Sequence, residues 1–488
     1  MKKINEDKIY GQVNTPTWIV NQILNMVEYS GTSIINKYIM EPSCGDGAFM
    51  VEIIKRYISE CLLSNIPDHI IIENLGKYIY GIELDEVEYN KCITNLNSIV
   101  HSVLGDYDVD WKIYNQDTLQ VFPDFDGKFD YVVGNPPYVR IHHINKELRT
   151  YLKNSFFFTK GTIDMYLCFF EIAITMCNDD GVIGYITPNS YFRNTSYKGF
   201  RNYLKNRQFI KTIVNFKSSK VFENHSTYTA ITILNKKNNE EFDYYELNDE
   251  LIKKVNTISN KSLSDDYWNF GTIEDLSSVE NYTLKSGQLV KDLFNVQYGI
   301  ATLRDKIFIG NATNCDDENL MLFNGYEIEK PMLREIVKGS KFKREFVLFP
   351  YQFVDGKYVP ISEEKLICEY PKCYLYLQEN KNELLNRDID KGSPWYAYGR
   401  SQGIQTTNLD KIMLGSFVGD KIKYAKIDGG TLVTSGIIIT KKNKDVDWQL
   451  IENLLSSNDL FKYIKLTGKY FSGEYNSVTP KQIKECVL

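Results

Sequence analysis

Residues 38–49 read Tyr38-Ile-Met-Glu-Pro-Ser-Cys-Gly-Asp-Gly-Ala-Phe49 and lead into a stretch with helical spacing from Met50 to Tyr57. A short apolar strand thus runs into a turn with two glycines and then into a helix, which is the order of elements in a parallel α/β unit. Glycines in such a turn let the backbone approach a ligand, and the N–H groups that begin the helix point at it. A tight turn without a ligand would use the same residues, so this stretch alone leaves both interpretations open.

The same alternation of strand and helix continues on both sides of this stretch. Helical spacing follows Thr15-Pro16, and short apolar strands recur along the first half of the chain at residues 38–40, 78–82, 129–133, 181–186, 212–216 and 228–234. Strands that alternate with helices predict a largely parallel sheet, and therefore an α/β fold.

The pattern changes after Asn235, where a polar stretch begins, and residues from about 255 to 285 are rich in Ser, Asn and Asp. We therefore predict a first domain at 1–255, a boundary segment at 256–285 and a second domain at 286–488. Short β-like runs and charged loops in the last part indicate a mixed α+β domain without fixing its fold.

Composition narrows the classes of function. The 488 residues carry a net charge of −6, and residues 286–488 are close to neutral, which neither requires nor excludes a nucleic-acid partner. Nine cysteines without a Cys-x-x-Cys pair, together with only five histidines, predict neither a disulfide framework nor a metal site. This cysteine usage predicts a reducing cytoplasm. The absence of a long apolar run predicts a protein without a signal peptide or a membrane span.

Acidic side chains follow three successive strands of the predicted sheet. Glu41 ends the first strand, Glu83 and Asp85 end the second, and Asp117 follows the third segment. An acid at the carboxyl edge of such a sheet holds ribose hydroxyls in nucleoside-binding folds, whereas an aspartate there can equally cap a helix. Three acidic strand ends in sequence favour a pocket for an adenosine-containing ligand.

The most specific segment is Phe129-Asp-Tyr-Val-Val-Gly-Asn-Pro-Pro-Tyr138. Two prolines fix the backbone after a buried strand, so that Asn135 Oδ1 and the Pro136 carbonyl can face a planar amine as two acceptors. Tyr138 can then cover the flat face of a base. A rigid turn with a surface tyrosine is the structural alternative.

In their order along the chain, these motifs resemble the γ-class DNA adenine-N6 methyltransferases of the Taq type, which use S-adenosylmethionine. The resemblance covers about 230 residues and rests on these segments: Gly11–Pro16, Glu41–Phe49, Gly81–Asp85, Asp117, Asn135–Tyr138, Lys160–Tyr166, Asp180–Pro188 and Lys220–Thr227. It implies a Rossmann-like methyltransferase domain, followed by a target-recognition domain that binds double-stranded DNA.

The resemblance also implies roles for single residues. The cofactor would be held by Thr15, Glu41, Ser43, Gly45, Glu83, Asp117 and Asn135. An extruded adenine would be held by the catalytic residues Asn135, Pro136, Tyr138 and Phe222. The pair Ser43-Cys44 stands where the family more often has a small residue, and Asp164 and Tyr166 are expected to line the pocket.

The chemistry of the adenine amino group supports the roles that the resemblance implies for these residues. The lone pair of the adenine amino group is delocalised into the ring, so it must be redirected before it can attack. Two acceptors on the amino hydrogens turn it toward the methyl donor, which is an effect of positioning and electrostatics. Neither a metal nor a covalent nucleophile is needed. The sequence has no Pro-Cys dipeptide, which argues against cytosine-C5 chemistry that needs a thiolate.

Three other functions stay open at this stage: a protein-glutamine methyltransferase, a ribosomal RNA methyltransferase, and a catalytically silent DNA-binding module. The roughly 200 residues after the catalytic motifs, which have the size of a recognition domain, and the cofactor motif near the N-terminus favour DNA. Arg400 and Gln402 lie in Trp395-Tyr-Ala-Tyr-Gly-Arg-Ser-Gln402 and can read base edges, while Lys341 suits a phosphate contact. Segments 297–304 and 338–344 add glycine-bearing loops and cations, and a separate restriction endonuclease is a possible partner.

Overall fold

The computed structural model describes residues 14–139, 144–159, 164–219, 221–222, 228–248, 251–284, 286–471 and 475–488. Residues 11–13, 160–163, 220 and 223–227, which belong to three of the motifs quoted above, lie outside the described residues. The chain divides into two compact units, Met1–Ile273 and Glu274–Leu488.

The first unit alternates strands and helices. Its strands are β1 (Ile39–Glu41), β2 (Ile79–Glu83), β3 (Lys112–Asn115), β4 (Phe129–Gly134), β5 (Cys177–Pro188), β6 (Ile210–Asn215), β7 (Thr229–Asn235), β8 (Glu241–Asn248) and β9 (Leu251–Ser259). Its helices are α1 (Thr17–Met26), α2 (Ala48–Leu63), α3 (Asp68–Tyr78), α4 (Glu86–Leu104), α5 (Thr118–Val121), α6 (Lys146–Ser155), α7 (Met165–Met176) and α8 (Lys198–Arg207). Helix α9 (Ile273–Leu284) begins at the last residue of this unit.

These strands form one nine-stranded sheet in the order β3-β2-β1-β4-β5-β7-β6-β8-β9. The pairs from β3 to β5 are parallel, as is β6 with β8, whereas β7 is antiparallel to both of its neighbours and β9 to β8. The predicted α/β fold with a mostly parallel sheet is therefore confirmed. Because β5 and β6 both run antiparallel to β7, their carboxyl ends lie at the same edge as those of β1 and β4.

Burial explains why the sequence forms these strands. Every residue of β2 and of β7 is buried, as expected for strands that are covered on both faces. Helix α1 packs on β5 at Gly184, where a β-carbon would lie 2.6 Å from Val27 Cγ1 and 2.9 Å from Ile23 Cγ2. Glycine at this position therefore allows the close approach of helix and strand.

Two strands of the sheet do not appear in the sequence analysis. Strands β8 and β9 lie in the polar region after Asn235 and extend the sheet by one parallel and one antiparallel pair. Strand β8 alternates buried and more exposed residues, and β9 is mostly exposed, so neither forms an apolar run. Strand β9 continues past residue 255, and residues up to Ile273 group with the first unit, while the predicted functional boundaries at 255 and 285 stay predictions.

The second unit mixes short strands and helices. Its strands are β10 (Phe294–Tyr298), β11 (Ile309–Gly310), β12 (Ala312–Asn314), β13 (Leu320–Phe323), β14 (Tyr326–Glu329), β15 (Leu333–Lys338), β16 (Lys343–Leu348), β17 (Tyr351–Val354), β18 (Lys357–Pro360), β19 (Lys411–Gly415), β20 (Phe417–Val418), β21 (Tyr424–Ile427), β22 (Leu432–Thr434), β23 (Gly436–Lys441), β24 (Tyr470–Phe471) and β25 (Tyr475–Ser477). Its helices are α10 (Val290–Leu293), α11 (Asp305–Phe308), α12 (Glu363–Glu369), α13 (Pro371–Glu379), α14 (Lys381–Leu385), α15 (Trp448–Leu455), α16 (Asn458–Thr467) and α17 (Pro480–Lys484).

Small sheets organise this unit, and two of them have four strands, in the orders β10-β23-β19-β21 and β11-β16-β15-β22. The first is antiparallel throughout, whereas the second pairs β15 with β22 in parallel. The predicted mixed α+β architecture is confirmed. Within the part of the chain that the structure describes, no helix is both long and apolar enough to cross a membrane.

The close packing of α1 on β5 gives a testable prediction. Gly184→Ala should lower the free energy of unfolding by about 1–3 kcal/mol, because the added methyl group overpacks the contact with Val27 and Ile23. Urea-induced unfolding measures this change. The matched control is Gly199→Ala in α8, where a β-carbon would meet no atom within 4 Å, and there alanine should raise stability by about 0.5–1 kcal/mol. Equal effects of the two substitutions would contradict the packing argument.

Candidate active site

The strand order of the sheet reverses between β1 and β4. Open parallel sheets bind ligands in the crevice outside the carboxyl ends of their strands at such a point. Met40 of β1 pairs with Val132 of β4, and Glu41 pairs with Gly81 of β2, so these three strands end side by side. The predicted cofactor residues at this edge are Glu41, Ser43, Gly45, Glu83 and Asn135.

Glu83 holds the glycine turn against the end of β2. Its carboxylate oxygens accept hydrogen bonds from Gly45 N (2.8 Å) and Asp85 N (2.8 Å), and the residue is only 9% exposed. Burial raises the pKa of Glu83, and the hydrogen bonds from Asp85 and Gly45 oppose that rise. Glu83 therefore fixes the backbone of the turn, and its oxygens retain lone pairs for further donors.

The two glycines of the turn serve different purposes. Gly45 has a φ of 52°, and no heavy atom lies within 4 Å of the position that a β-carbon would take, so open space borders the backbone there. Gly47 has a φ of 92°, and a β-carbon there would lie 2.9 Å from Cys92 Sγ on α4. The first glycine thus leaves room for a ligand, and the second allows the turn to pack on a helix.

Glu41 brings a buried carboxyl group to the same place. The residue is 2% exposed, and its Oε2 has no hydrogen-bond partner among the described residues. Burial raises the pKa of Glu41 well above its usual value, and the nearby Cys92 and Glu83 raise it further. A cationic ligand or a hydrogen-bond donor would supply the missing partner, which fits the sulfonium and amino groups of S-adenosylmethionine.

Asn135 joins the turn after β4 to two other predicted residues. Its Nδ2 donates to Thr15 Oγ1 (3.1 Å), and Ser43 Oγ donates to its backbone oxygen (3.5 Å). The bond to Thr15 orients the side-chain amide, because the donor nitrogen and the acceptor oxygen lie on opposite sides of the group. The structure therefore brings Thr15, Ser43 and Asn135 together as the motifs predict.

Tyr138 follows Asn135 and the buried Pro136 in the chain and forms an aromatic pair with Phe222. The Tyr138 hydroxyl donates to Ile186 O of β5 (3.1 Å), and the Tyr138 ring meets Phe222 edge to face, with 6.4 Å between centroids and 74° between planes. Burial raises the pKa of Tyr138 well above its usual value, so the side chain is a neutral phenol. Both predicted aromatic contacts for the base therefore lie beside each other, at the edge of the sheet that carries Asn135.

The other two acids act as helix caps. Asp85 Oδ1 accepts from Val87 N (2.8 Å) at the start of α4, and Asp117 Oδ1 accepts from Leu119 N (3.0 Å) at the start of α5. Thr118 Oγ1 donates to Pro42 O (2.6 Å), which ties this turn to the one after β1. The capping alternative holds for Asp85, whereas Asp117 caps a helix at the edge where a cofactor contact is predicted.

Sequence reasoning missed several side chains at this edge. Asn189, which follows β5, donates its Nδ2 to Oδ1 of Asn215, the last residue of β6 (3.1 Å), and Trp18 packs edge to face on Phe216. An asparagine directly after an apolar strand is the signal that could have identified the first two. The described residues contain no group of three His, Cys, Asp or Glu side chains that could hold a metal ion.

In the second unit, two of the three predicted DNA contacts already have partners within the chain. Arg400 Nη2 lies 2.8 Å from Asp388 Oδ2, and its Nη1 lies 3.8 Å from Asp390 Oδ1. Gln402 Nε2 donates to Gly299 O (3.2 Å), whereas Lys341 is exposed in the turn between β15 and β16. Reading a base would therefore require Arg400 to exchange one or both of its acidic partners.

The three segments predicted to contact DNA lie together in this unit. Arg400 N donates to Ala301 O (3.1 Å), which joins segments 395–402 and 297–304. Gly339 N donates to Thr434 O (3.2 Å), and Ile300 N donates to the adjacent Val433 O (2.8 Å). Strand β22 thus connects the segment around Lys341 to the other two. The DNA contacts themselves stay predictions.

The chain is similar in sequence to known restriction-modification proteins. The sequence profile of the Eco57I restriction-modification methylase family matches residues 51–222, which run from α2 through the motifs around Glu83, Asp117 and Asn135 to Phe222. The Type II restriction enzyme and methyltransferase RM.Eco57I of Escherichia coli is 28% identical, over 95% of this chain and 55% of that protein. The Type II methyltransferase M.BstVI of Geobacillus stearothermophilus is 23% identical, over 80% of this chain and 74% of that protein.

Among solved structures, the Type IIL restriction-modification enzyme MmeI in complex with DNA matches with a TM-score of 0.63 and 15% identity, over 95% of this chain and 63% of that one. That likeness concerns the fold alone. The chain spans 55% of the length of RM.Eco57I and 63% of the MmeI chain. By its profile match over residues 51–222 and its relatives, this chain is similar to the Eco57I restriction-modification methylases.

Proposed function

We propose that this chain is a DNA methyltransferase that transfers the methyl group of S-adenosylmethionine to the N6 amino group of an adenine flipped out of double-stranded DNA. One observation carries the proposal. Asn135-Pro-Pro-Tyr138 follows β4 at the point where the strand order reverses, with the Asn135 amide oriented by Thr15 at 3.1 Å. The names of the relatives, which are restriction-modification methyltransferases, support methyl transfer to DNA.

The glycine turn and its acids would hold the cofactor. When bound, S-adenosylmethionine supplies an electrophilic methyl group on a positively charged sulfur. Glu41 offers a buried acceptor oxygen to a positively charged or N–H-bearing part of this ligand, and Gly45 leaves space beside its backbone. Glu83 and Asp117 at the adjacent strand ends would accept hydrogen bonds from the nucleoside half.

Asn135 and Pro136 would act on the adenine amine. The side-chain oxygen of Asn135 and the carbonyl of Pro136 accept its two N–H groups and so draw the nitrogen toward tetrahedral geometry. This turns its lone pair out of the ring and aims it at the methyl group. Methyl transfer would form the bond from the methyl carbon to the amine nitrogen as the carbon–sulfur bond breaks, and one amine proton would pass to water.

Such a site cannot form around a stacked base, so the target adenine must leave the helix. Tyr138 offers one ring face to it, with Phe222 set edge-on beside it. Stacking on an aromatic side chain contributes about 1–3 kcal/mol per base against the cost of unstacking. The neutral phenol of Tyr138 keeps a negative charge away from the electron-rich base.

The second unit would supply recognition of the DNA sequence. Segments 297–304, 338–344 and 395–402 lie together there and present an arginine, a glutamine and an exposed lysine. Arginine and glutamine read guanine and adenine edges, and lysine contacts phosphate. A separate restriction endonuclease and a cytoplasmic location stay predictions.

Methyl transfer with the wild-type chain and with Asn135→Ala tests the proposal. We expect labelled S-adenosylmethionine to methylate double-stranded DNA, and the substitution to lower the single-turnover rate by a factor of about 10² or more, because Asn135 acts on the transition state. Tyr138→Ala should instead reduce the fluorescence change of 2-aminopurine at the target position, since it impairs capture of the base.

Three other polymers serve as controls in the same assay: ribosomal RNA, a glutamine-containing protein, and DNA without adenine in one strand. Methylation of RNA or of protein in preference to DNA would overturn the assignment of substrate. DNA binding without methyl transfer would identify a silent binding module. A normal rate for Asn135→Ala would contradict the mechanism.

Cofactor binding gives a second prediction. Glu83→Ala should weaken the affinity for S-adenosylmethionine by roughly 10-fold or more, since it leaves Gly45 N and Asp85 N without their acceptor. Calorimetry measures the Kd, and DNA affinity should change little. The matched control is Asp85→Ala, which removes the cap of α4 and should cost about 1 kcal/mol of stability while leaving the Kd nearly unchanged. An unchanged Kd for Glu83→Ala would remove this residue from the cofactor site.

The predicted DNA contacts of the second unit give a third prediction. Arg400→Ala or Gln402→Ala should reduce discrimination between target and near-target sites by about 1–3 kcal/mol. Lys341→Ala should weaken binding to all sequences and reduce the salt dependence, because fewer counterions are released. Binding titrations at several salt concentrations separate the two effects. If Arg400→Ala and Lys341→Ala behaved alike in both measurements, the division into base and phosphate contacts would be wrong.

A further inference from the structure

A closed set of hydrogen bonds lies at the carboxyl ends of β5, β6 and β8, on the edge of the sheet that carries the candidate active site. Asn215 Nδ2 donates to the Tyr244 hydroxyl (3.2 Å), which donates to Glu246 Oε1 (2.8 Å). Lys217 Nζ contacts Glu246 Oε2 at 2.5 Å, and Lys217 N donates back to Asn215 Oδ1 (3.0 Å). Asn189 Nδ2 donates to the same Oδ1 (3.1 Å). We call these five residues the neck cluster.

The cluster is built around a buried carboxylate. Glu246 is 5% exposed, and Asn215 and Tyr244 are buried as well. An isolated carboxylate in such surroundings is strongly unfavourable, and here each of its oxygens has a partner, one neutral and one cationic. Asn215 and Glu246 are register partners on the parallel strands β6 and β8, so the ring closes across a rigid part of the sheet.

Lys217 is held in an uncommon backbone conformation by these contacts. Its φ is 49°, in the left-handed region that a lysine rarely adopts. Its N–H and its ammonium group are bound on opposite sides of the cluster, to Asn215 and Glu246. The preceding Phe216 donates its N–H to Thr229 O (3.1 Å) and packs edge to face on Trp18. The path of the chain as it leaves β6 is therefore fixed at two consecutive residues.

Five residues after Lys217, the chain places Phe222 against Tyr138. Tyr138 is anchored by its hydroxyl on Ile186 O, three residues before Asn189 on the same strand end. Asn189 in turn donates its backbone N–H to Tyr228 O (2.9 Å) and its side chain to Asn215. The anchor of Tyr138 thus lies three residues before one member of the neck cluster, and Phe222 lies five residues after another.

We propose that the neck cluster sets the placement of Phe222 against Tyr138 and thereby the aromatic contacts that receive the target base. In this view Lys217 and Glu246 are positioning residues for base capture, and they do not touch the reacting atoms. The inference rests on the proposed function, because it assumes that a flipped base stacks on Tyr138 with Phe222 beside it.

Lys217→Met and Glu246→Gln break the ion pair, and Lys217→Arg keeps its charge. Lys254→Met is the matched control, since Lys254 pairs across β8 and β9 at 2.7 Å with Asp243, which is not a member of the neck cluster. The probes are duplexes that carry the mapped recognition site, with 2-aminopurine at the target position for fluorescence and adenine there for methyl transfer. A second set of duplexes has the target adenine opposite a mismatched base.

We expect Lys217→Met and Glu246→Gln to reduce the 2-aminopurine signal and to lower the single-turnover rate on the paired target by a factor of about 10 to 10², as a small misplacement of a binding group does. On the mismatched target the loss should shrink to less than about 3-fold, because an unpaired base costs little to extrude. Lys217→Arg should retain most of the rate, Lys254→Met should behave like wild type, and the Kd for S-adenosylmethionine should be unchanged in all four.

Equal losses on paired and mismatched targets, or a parallel loss of cofactor affinity, would show that the ion pair only stabilises the fold and would overturn the inference. A full rate for Lys217→Met on the paired target would overturn it as well. These outcomes are distinct from failure of the proposed function, in which the wild-type chain itself would transfer no methyl group to adenine in either duplex.

Discussion

The candidate site depends on the parallel register of β1 between β2 and β4. Because Glu41 pairs with Gly81 and Met40 with Val132, the three strands end at the same level. The chain then turns in opposite directions from β1 and β4, and a crevice opens between the two turns. Glu41, the Gly45 turn and Asn135 face this crevice only in that register, since a shift by one residue would send their side chains to the other face.

Polar groups at this edge are fixed by hydrogen bonds to backbone atoms more often than by ion pairs. Glu83 binds two backbone N–H groups, Asn135 is bound through both its amide and its carbonyl, and Tyr138 donates to a backbone oxygen. Such contacts orient acceptors before any ligand arrives. For a reaction that depends on turning a lone pair, preorganised acceptors lower the barrier without a reorganisation cost at the moment of transfer.

Much of the first unit could be predicted from local sequence. Strands that are buried along their whole length, such as β2 and β7, are rich in apolar residues. The glycine turn and the prolines at 136–137 have steric consequences that do not depend on distant residues. Strands β8 and β9 were missed because their partners are each other and β6, at an edge where polar residues are tolerated. The neck cluster joins residues from three strands, so no local pattern could indicate it.

The second unit was less predictable because its contacts also join residues that are far apart in the chain. Its segments cross where a β-carbon on Gly299 would lie 2.2 Å from Val433 O and one on Gly403 would lie 2.8 Å from Gly299 C. These glycines permit contacts between residues more than 100 positions apart in the chain, and sequence spacing carries no signal of such contacts. The sequence likewise did not indicate that Arg400 pairs with Asp388 and Asp390, although this pairing decides whether the guanidinium is free to read a base.

In the proposed reaction, Asn135 and Pro136 direct an exocyclic adenine nitrogen toward a methyl donor. Nucleoside analysis by mass spectrometry tests it most directly, on DNA treated with the protein and with S-adenosylmethionine that carries an isotopically labelled methyl group. We expect the label to appear as N6-methyladenine in double-stranded DNA at one recurring sequence. Label on a cytosine, or label found only in RNA or protein, would contradict it.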